Sequence, residues 1–204
     1  MVRVERGGAG FLTSVTRHLR DLGVDEVFSP ALYPGSSRMW VDAGFEEFAR
    51  LDVFERSIPG GAGAAPRHEV ETGTPPWDDI LDVDRSAFEG FWAMSRLGLE
   101  EAAAASRQGA VLTLPYADGI AGYAIVGTAW GVGYLHRIAV RPGLGGQGMG
   151  QSLLTVSVNW AAASGARAMV LNVRPDNERA RRLYERSGFA ATGSDLTVLR
   201  HRFQ

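Results

Sequence analysis

The stretch that decides the fold joins a strand, a glycine-rich loop and the start of a helix. It reads Tyr134-Leu135-His136-Arg137-Ile138-Ala139-Val140-Arg141-Pro142-Gly143-Leu144-Gly145-Gly146-Gln147-Gly148-Met149-Gly150. Its apolar residues predict a strand over 132–140 that stops at Pro142. A helix follows, because apolar residues recur at helical spacing from Met149 until Gly165 ends the pattern. Glycines let successive N–H groups face an anion, and a helix N-terminus favours negative charge, so the loop predicts a pyrophosphate site.

The elements around this stretch predict the class of fold. Two further strands precede it, separated by turn residues, which predicts an antiparallel meander of three strands. Two helices come before the meander, the first capped by Asp78-Asp79 and the second ending by Gly109. A strand, a helix and a last strand follow the helix that begins near Met149. Outside the quoted stretch, the predicted strands are 110–114, 120–126, 168–173 and 196–202, and the predicted helix is 177–187. This order predicts an α+β, or mixed α/β, fold.

The chain has 204 residues, enough for one large domain or two small ones. Gly, Ala and Pro are concentrated over 59–76, which predicts a linker that can include the first strand of the next domain. The linker divides the chain into a small piece, 1–58, and a piece of ordinary domain size, 77–204.

The small piece repeats the order of elements at the end of the larger one. Its pattern predicts helix, strand, helix and strand, and Gly44-Phe45 closes its second helix as Gly188-Phe189 closes the last helix of the chain. We interpret 1–58 as a truncated, non-catalytic copy of the larger domain. A partial sheet exposes an unpaired edge, so this copy is expected to dock on the larger domain or on a second chain, which leaves a homodimer open.

Composition excludes several classes of function. The 21 basic and 23 acidic residues nearly balance, so we expect neither a nucleic-acid nor a membrane partner. The absence of Cys excludes disulfides, thiolate metal sites and a Cys nucleophile, and the absence of Lys excludes a Schiff-base lysine. The histidines have no metal-ligand spacing, so no metal is expected. No apolar run approaches the length of a membrane span, and the protein is expected in the cytoplasm.

The glycine loop also satisfies the dinucleotide fingerprint, Gly143-x-Gly145-x-x-Gly148. A nicotinamide or flavin oxidoreductase is therefore an alternative. Two features count against it: the next strand offers Asn172 where such a fold expects an acidic residue, and a meander precedes the loop.

A third motif completes an ordered set with the strand and the loop. It reads Asn177-Glu178-Arg179-Ala180-Arg181-Arg182-Leu183-Tyr184-Glu185-Arg186-Ser187-Gly188-Phe189. Over residues 67–204 the set resembles the GNAT superfamily of acyl-CoA-dependent N-acetyltransferases. The two-part arrangement also resembles tandem GNAT enzymes such as mycothiol synthase. The resemblance implies a GNAT-like central mixed sheet with flanking helices, in which the strand ending at Val140 parts from the strand 168–173 to leave a wedge.

The resemblance further implies how acetyl-CoA, the co-substrate, binds. The backbone of the strand end would pair with the pantetheine arm, the loop amides would hold the pyrophosphate, and an asparagine would contact the cofactor arm. The residues implied are Ile138, Ala139, Val140, Gly145, Gly146, Gln147, Gly148, Met149, Gly150 and Asn177. The family has Arg or Gln where this chain has Gly145, so a side chain that braces the loop is missing.

Two residues are candidates for the chemistry. Tyr184 occupies the family's general-acid position, where a phenol can donate a proton to the departing thiolate; the alternative role is a packed aromatic. His136 matches a histidine of the aralkylamine acetyltransferases and is the candidate base, sharing a strand face with Tyr134, Ile138 and Val140. The alternative is a core histidine satisfied by a hydrogen bond.

We therefore expect an enzyme that transfers acetyl from acetyl-CoA to a primary amine by direct attack. The acceptor is a small molecule or a peptide or protein N-terminus, bound near the aromatic residues Phe88, Phe91, Trp92 and Trp130. The alternative to catalysis is a silent acyl-CoA-binding module.

Overall fold

The computed structural model describes residues 8–59 and 63–203. The chain divides into two compact units. In the described residues, the smaller unit comprises 8–53, 172–177 and 191–203, and the larger unit comprises 54–59, 63–171 and 178–190. The domain boundaries given above and the internal repeat stay predictions.

The helices and strands follow one another in the order α1 (Ala9–Asp21), β1 (Glu26–Phe28), α2 (Arg38–Val41), β2 (Glu46–Ser57), β3 (Glu71–Thr72), α3 (Trp77–Ala87), α4 (Arg96–Ala103), β4 (Gln108–Tyr116), β5 (Gly119–Ala129), β6 (Val132–Val140), α5 (Met149–Ala163), β7 (Ala168–Val173), α6 (Glu178–Arg186) and β8 (Ala190–Arg202). A 3₁₀ helix, Gly90–Trp92, lies between α3 and α4.

The smaller unit is built on the antiparallel pair β1 and β8, with β2 on the other side of β8. Its core is a small apolar cluster made by Leu12, Ala43, Phe45 and Leu199, with Trp40 packed against it. The ring of Trp40 meets that of Phe45 edge-on, with centroids 5.0 Å apart. Trp40 is therefore a packing residue of this cluster.

The sheet of the larger unit has the strand order β7-β6-β5-β4-β3. The pairs β3·β4, β4·β5 and β5·β6 are antiparallel, and β6·β7 is parallel. The predicted meander is thus confirmed as β4, β5 and β6, and the sheet is mixed. Strand β3 lies within the segment predicted as a linker, at 59–76.

Helices cover both faces of this sheet. On one face, α3 and α4 bury Ile80, Val83 and Leu99 against Tyr123 and its neighbours in β5. Gly122 directly precedes Tyr123 in β5, and adjacent strand residues point to opposite faces of a sheet. A Cβ placed on Gly122 would lie 3.2 Å from Leu153 of α5. Helix α5 therefore packs on the other face. The mixed α/β class with a central mixed sheet and flanking helices is confirmed.

The boundaries differ most from the predicted ones in two places. The helical spacing of Ile80, Val83, Ala87 and Phe91 predicts one helix that reaches Phe91, but α3 ends at Ala87 and Phe91 lies in the 3₁₀ helix. Strand β8 begins at Ala190, although the sequence predicts a start at 196. Its first residues are small or polar and exposed, so they carry no alternating apolar pattern that could reveal a strand.

Candidate active site

The glycine loop connects β6 to α5 in the larger unit. Gly143, Gly146 and Gly148 have φ values of +88°, +81° and +86°, a region that residues with a Cβ rarely adopt. Gly148 is also the N-cap of α5. The loop therefore has its shape because glycine stands at these positions, as its composition predicts.

Most backbone amides of this loop have no acceptor among the described residues. Leu144 N–H donates to the Arg141 carbonyl, and the next backbone donor is Ser152 N–H, to the Gly148 carbonyl. Across residues 8–59 and 63–203, no acceptor is found for the N–H groups of residues 145–151. A row of free donors at a helix N-terminus is an anion-binding arrangement. It includes the predicted pyrophosphate ligands Gly145, Gly146, Gln147, Gly148, Met149 and Gly150.

Strand β6 loses its parallel neighbour near its carboxyl end. The β6·β7 register runs from Val132 opposite Ala168 to Leu135 opposite Leu171 and stops there. Among the described residues, 136–140 pair only with β5, and the predicted pantetheine ligands Ile138, Ala139 and Val140 lie opposite Ala124, Tyr123 and Gly122. The backbone of β6 is thus open on the β7 side, as the predicted wedge requires.

His136 is the extra residue of a β-bulge. Ile125 lies opposite Arg137, but Val126 lies opposite Leu135, which leaves His136 without a partner in the ladder. A bulge interrupts the alternation of side chains. His136 and Arg137, although adjacent, both point to the face covered by α3 and α4.

This bulge corrects the predicted face of His136. Its imidazole does stack on Tyr134, with centroids 6.0 Å apart and planes 13° from parallel. Val140, expected on the same face, instead points toward α5, since a Cβ on Gly122 would lie 3.1 Å from Val140 and 3.2 Å from Leu153. Ile138, two residues before Val140, shares that opposite face.

The imidazole of His136 is half-buried and hydrogen-bonded. Its Nε2 lies 2.8 Å from the hydroxyl of Ser106, in the turn between α4 and β4. Burial lowers the pKa of His136 below its ordinary value of 6.5. The ring is therefore neutral near pH 7 and able to accept a proton. Ser106 was missed by sequence reasoning, since a serine in a turn carries no distinguishing pattern.

A buried ionic network lies next to the bulge. The carboxylate of Asp84, fully buried in α3, accepts hydrogen bonds from the Arg137 guanidinium at 2.8 and 3.1 Å. It also accepts from the Tyr123 hydroxyl and from Met94 N–H, the latter at 2.8 Å. Burial, followed by the bond to Asp84, raises the pKa of Tyr123. Every oxygen of this carboxylate is thus satisfied, as burial demands.

Arg137 also fixes part of the aromatic group expected to bind the acceptor. Its guanidinium lies 3.6 Å from the centre of the Phe88 ring and donates to the Trp92 carbonyl. Phe91 packs edge-on against Trp92, with centroids 5.0 Å apart. Trp130 does not belong to this group, because it is 96% exposed at the tip of the β5–β6 hairpin.

Tyr184 lies in α6 with its ring buried and 5% of its surface exposed. Phe54 and Phe189 flank the ring at centroid distances of 6.4 and 6.1 Å. In the part of the chain that the structure describes, the Tyr184 hydroxyl makes no hydrogen bond. Every fully buried side-chain oxygen there does have a hydrogen-bond partner, so this hydroxyl is not fully buried and reaches solvent. Burial raises the pKa of Tyr184 to about 12, so the phenol keeps its proton near pH 7.

Helix α6 packs against the first turn of α5, beside the loop. A Cβ on Gly150 would lie 3.4 Å from Leu183, an ordinary contact distance, so the two helices are in close contact here. The Ser187 hydroxyl donates to the Gln151 side chain at 3.2 Å. Tyr184 is the residue after Leu183, so the same packing fixes its position in the larger unit.

Asn177, the remaining predicted cofactor ligand, belongs to the smaller unit. It is exposed, immediately precedes α6 and donates its N–H to the Arg174 carbonyl at 3.1 Å. Its contact with the cofactor stays a prediction.

The topology does not fit the dinucleotide alternative. The strand that feeds the glycine loop, β6, is antiparallel to β5, whereas a doubly wound nucleotide fold feeds its loop from a parallel sheet. Within the described residues, no three His, Asp or Glu side chains are grouped to hold a metal ion. No helix there is long and apolar enough to cross a membrane.

The chain is similar to proteins that are named acetyltransferases. A mycothiol acetyltransferase of Streptomyces avermitilis is 39% identical over 66 residues, which cover 32% of this chain and 21% of that protein. A mycothiol acetyltransferase of Kineococcus radiotolerans is 27% identical over 207 residues, covering 94% of this chain and 67% of that protein. The matches to the first relatives thus span about a fifth of their length.

A solved structure of a tandem GNAT protein from the clavulanic acid biosynthesis pathway (without AcCoA) has a TM-score of 0.66 and 14% identity, covering 98% of this chain and 71% of that one. At this identity the likeness shows the fold. The model of the acetyltransferase (GNAT) family matches residues 77–189, more than half of the chain. The chain therefore belongs to the GNAT family of acetyltransferases.

Proposed function

We propose that this enzyme transfers the acetyl group of acetyl-CoA to a primary amine. The observation that carries the proposal is the row of backbone N–H groups at residues 145–151 that find no acceptor in the described part of the chain. The loop is also accessible, since a Cβ placed on Gly143 or Gly146 would meet nothing within 4 Å. A diphosphate fits such a site because it offers acceptor oxygens and negative charge to donors that have no other partner.

The open edge of β6 supports the placement of the rest of the co-substrate. Ile138, Ala139 and Val140 have backbone groups available on the side away from β5, over the segment where β7 no longer pairs. The amide groups of a pantetheine arm can pair with such an edge as an added strand does. In this arrangement the arm runs from the glycine loop along β6 toward the bulge.

The proposed chemistry is direct attack. The neutral amine nitrogen bonds to the thioester carbonyl carbon, the tetrahedral intermediate forms, and the carbon–sulfur bond then breaks to leave an amide and CoA thiolate. His136, neutral near pH 7, accepts the proton that the amine nitrogen loses. Tyr184 gives its phenolic proton to the thiolate and regains one from solvent, which its hydroxyl reaches. Holding amine and thioester together supplies a further part of the rate.

The proposed acceptor is a small amine with an apolar part. Phe88 and Trp92, held in place by Arg137, lie on the face of β6 to which His136 points. Rings at this position favour an apolar body next to the reacting nitrogen. The relatives named mycothiol acetyltransferase favour a small-molecule acceptor over a peptide or protein N-terminus.

The test is release of CoA from acetyl-CoA in the presence of a panel of small amines and peptides, followed with a thiol reagent. The chain contains no Cys, so every thiol that appears is CoA. We expect amine-dependent release with at least one small amine. If acetyl-CoA binds but no amine in the panel causes release, the silent acyl-CoA-binding module replaces the enzyme of this proposal.

A further inference from the structure

Two arginines that lie outside the glycine loop place their side chains against it. We infer that Arg67 and Arg179 form the cationic part of the diphosphate site and supply the charge that the loop itself lacks. This inference rests on the proposed function, since it concerns the same site and the same co-substrate.

Arg179, the second residue of α6, covers Gly145. A Cβ placed on Gly145 would collide with the guanidinium of Arg179, whose Nη1 would lie 2.7 Å away. Glycine at 145 therefore leaves space that this guanidinium fills. The chain thus lacks a side chain at this position of the loop but gains a cation there from a neighbouring helix.

Arg67 reaches the other end of the loop from the segment before β3. Its backbone is fixed to the first turn of α5, because the N–H groups of Arg67 and His68 donate to the Ser152 hydroxyl at 3.2 and 3.1 Å. The His68 ring lies 2.8 Å from the Gln147 carbonyl. The Arg67 side chain lies 3.7 Å from the position that a Cβ on Gly148 would occupy. Two guanidinium groups thus border the loop at Gly145 and Gly148.

Neither guanidinium has a carboxylate partner among the residues that the structure describes. Within residues 8–59 and 63–203, the side chains of Arg67 and Arg179 make no ion pair and no hydrogen bond. Other exposed arginines of the same unit do have carboxylate partners. One turn along α6, Arg182 bonds to Glu178 at 2.8 Å, and Arg96 bonds to Asp78 and Glu100 at 2.8 and 2.9 Å.

The unpaired charges and the free amides lie around one short loop. Guanidinium groups match phosphate oxygens in geometry and charge, and the bonds between ionised partners are the stronger class of hydrogen bond. A ligand with two adjacent phosphates can contact both ends of the loop at once. The geometry therefore assigns Arg67 and Arg179 to recognition of the diphosphate, not of the acetyl or pantetheine part.

The experiment measures binding of acetyl-CoA by calorimetry to the wild type, R67A, R179A and the double variant. We expect each single variant to bind acetyl-CoA about tenfold more weakly than the wild type, and the double variant about a hundredfold more weakly. The affinity of the variants should also depend less steeply on salt concentration. R182A is the matched control, since its guanidinium is already paired with Glu178; it should stay within about twofold of wild type. Thermal unfolding confirms that each variant is folded.

Acetyl-pantetheine, which lacks the diphosphate, separates charge recognition from damage to the loop. Acetyl-pantetheine should bind the wild type and the arginine variants with equal affinity. If R67A and R179A bind acetyl-CoA as the wild type does, or if they lose affinity equally for acetyl-pantetheine, the inference is overturned while the proposed function stands. If the wild type itself does not bind acetyl-CoA, the proposed function fails.

Discussion

The carboxylate of Asp84 in α3 accepts two hydrogen bonds from the guanidinium of Arg137 in β6, at 2.8 and 3.1 Å. The Asp84 side chain is fully buried and that of Arg137 is 12% exposed. The pair joins the helix layer to the bulged strand at the residue after His136. It therefore holds His136, the candidate base, and the ring of Phe88 in fixed positions relative to each other.

The first prediction concerns this pair. Asp84→Ala leaves the Arg137 guanidinium buried without its partner, so the free energy of unfolding should fall by about 3–5 kcal/mol, as measured by urea denaturation. Glu178→Ala is the control, because it breaks an exposed pair on α6 and should cost less than about 1 kcal/mol. Equal, small losses in both variants would contradict a structural role for the buried pair.

The second prediction concerns the proposed acid. Tyr184→Phe should lower kcat about a hundredfold or more, because the thiolate then leaves without a proton donor. Acetyl-CoA affinity and the midpoint of thermal unfolding should stay near the wild-type values, since the hydroxyl bonds to no described residue. A loss of affinity as large as the loss of kcat would remove Tyr184 from the chemistry.

The third prediction is the pH dependence that His136 imposes. Its pKa is lowered by burial, so the acid limb of kcat/KM that His136 imposes should lie below pH 6.5, where the ring becomes protonated and no longer accepts a proton; ionisation of the amine acceptor sets a separate limb at higher pH. Tyr184, with a pKa raised to about 12, should impose no loss below pH 10. His136→Gln should abolish the acid limb. His18→Gln, at an exposed position on α1, should keep it; survival of the limb in the His136 variant would exclude this base.

The fourth prediction concerns the shape of the glycine loop. Gly146→Ala introduces a Cβ into open space but at a φ of +81°, so strain alone acts, and stability should fall by about 1–2 kcal/mol. Acetyl-CoA affinity should fall as well, because the relaxed loop turns its amides away. Gly73→Ala is the control, with open space and no positive φ. An unchanged affinity in Gly146→Ala would show that the loop conformation does not matter for binding.

Much of the central sheet could be predicted from the sequence. Strands β6 and β7 have the predicted bounds, because apolar runs ended by Pro142 and by turn residues mark them clearly. The glycine loop could be predicted for the same reason: glycine is the residue type that the positive φ values of Gly143, Gly146 and Gly148 favour. Local conformation and local pattern agree in these segments.

The parts that could not be predicted depend on contacts between distant segments. The bulge at His136 leaves no mark in the apolar pattern, yet it decides which side chains share its face. The pairing of Asp84 with Arg137 joins residues 53 positions apart. Arg67 lies in the segment predicted as a linker and Arg179 in the helix predicted over 177–187. Only the packing of these segments against α5 and the loop places the two residues at Gly148 and Gly145.

The most direct measurement follows the backbone amides of residues 145–151 by NMR while acetyl-CoA is added to the full chain. The account predicts that these amides exchange rapidly with solvent in the free protein. On binding they should become protected and show the largest chemical-shift changes, because they donate to phosphate oxygens. Binding that leaves these amides unprotected, with the changes centred elsewhere, would contradict the account.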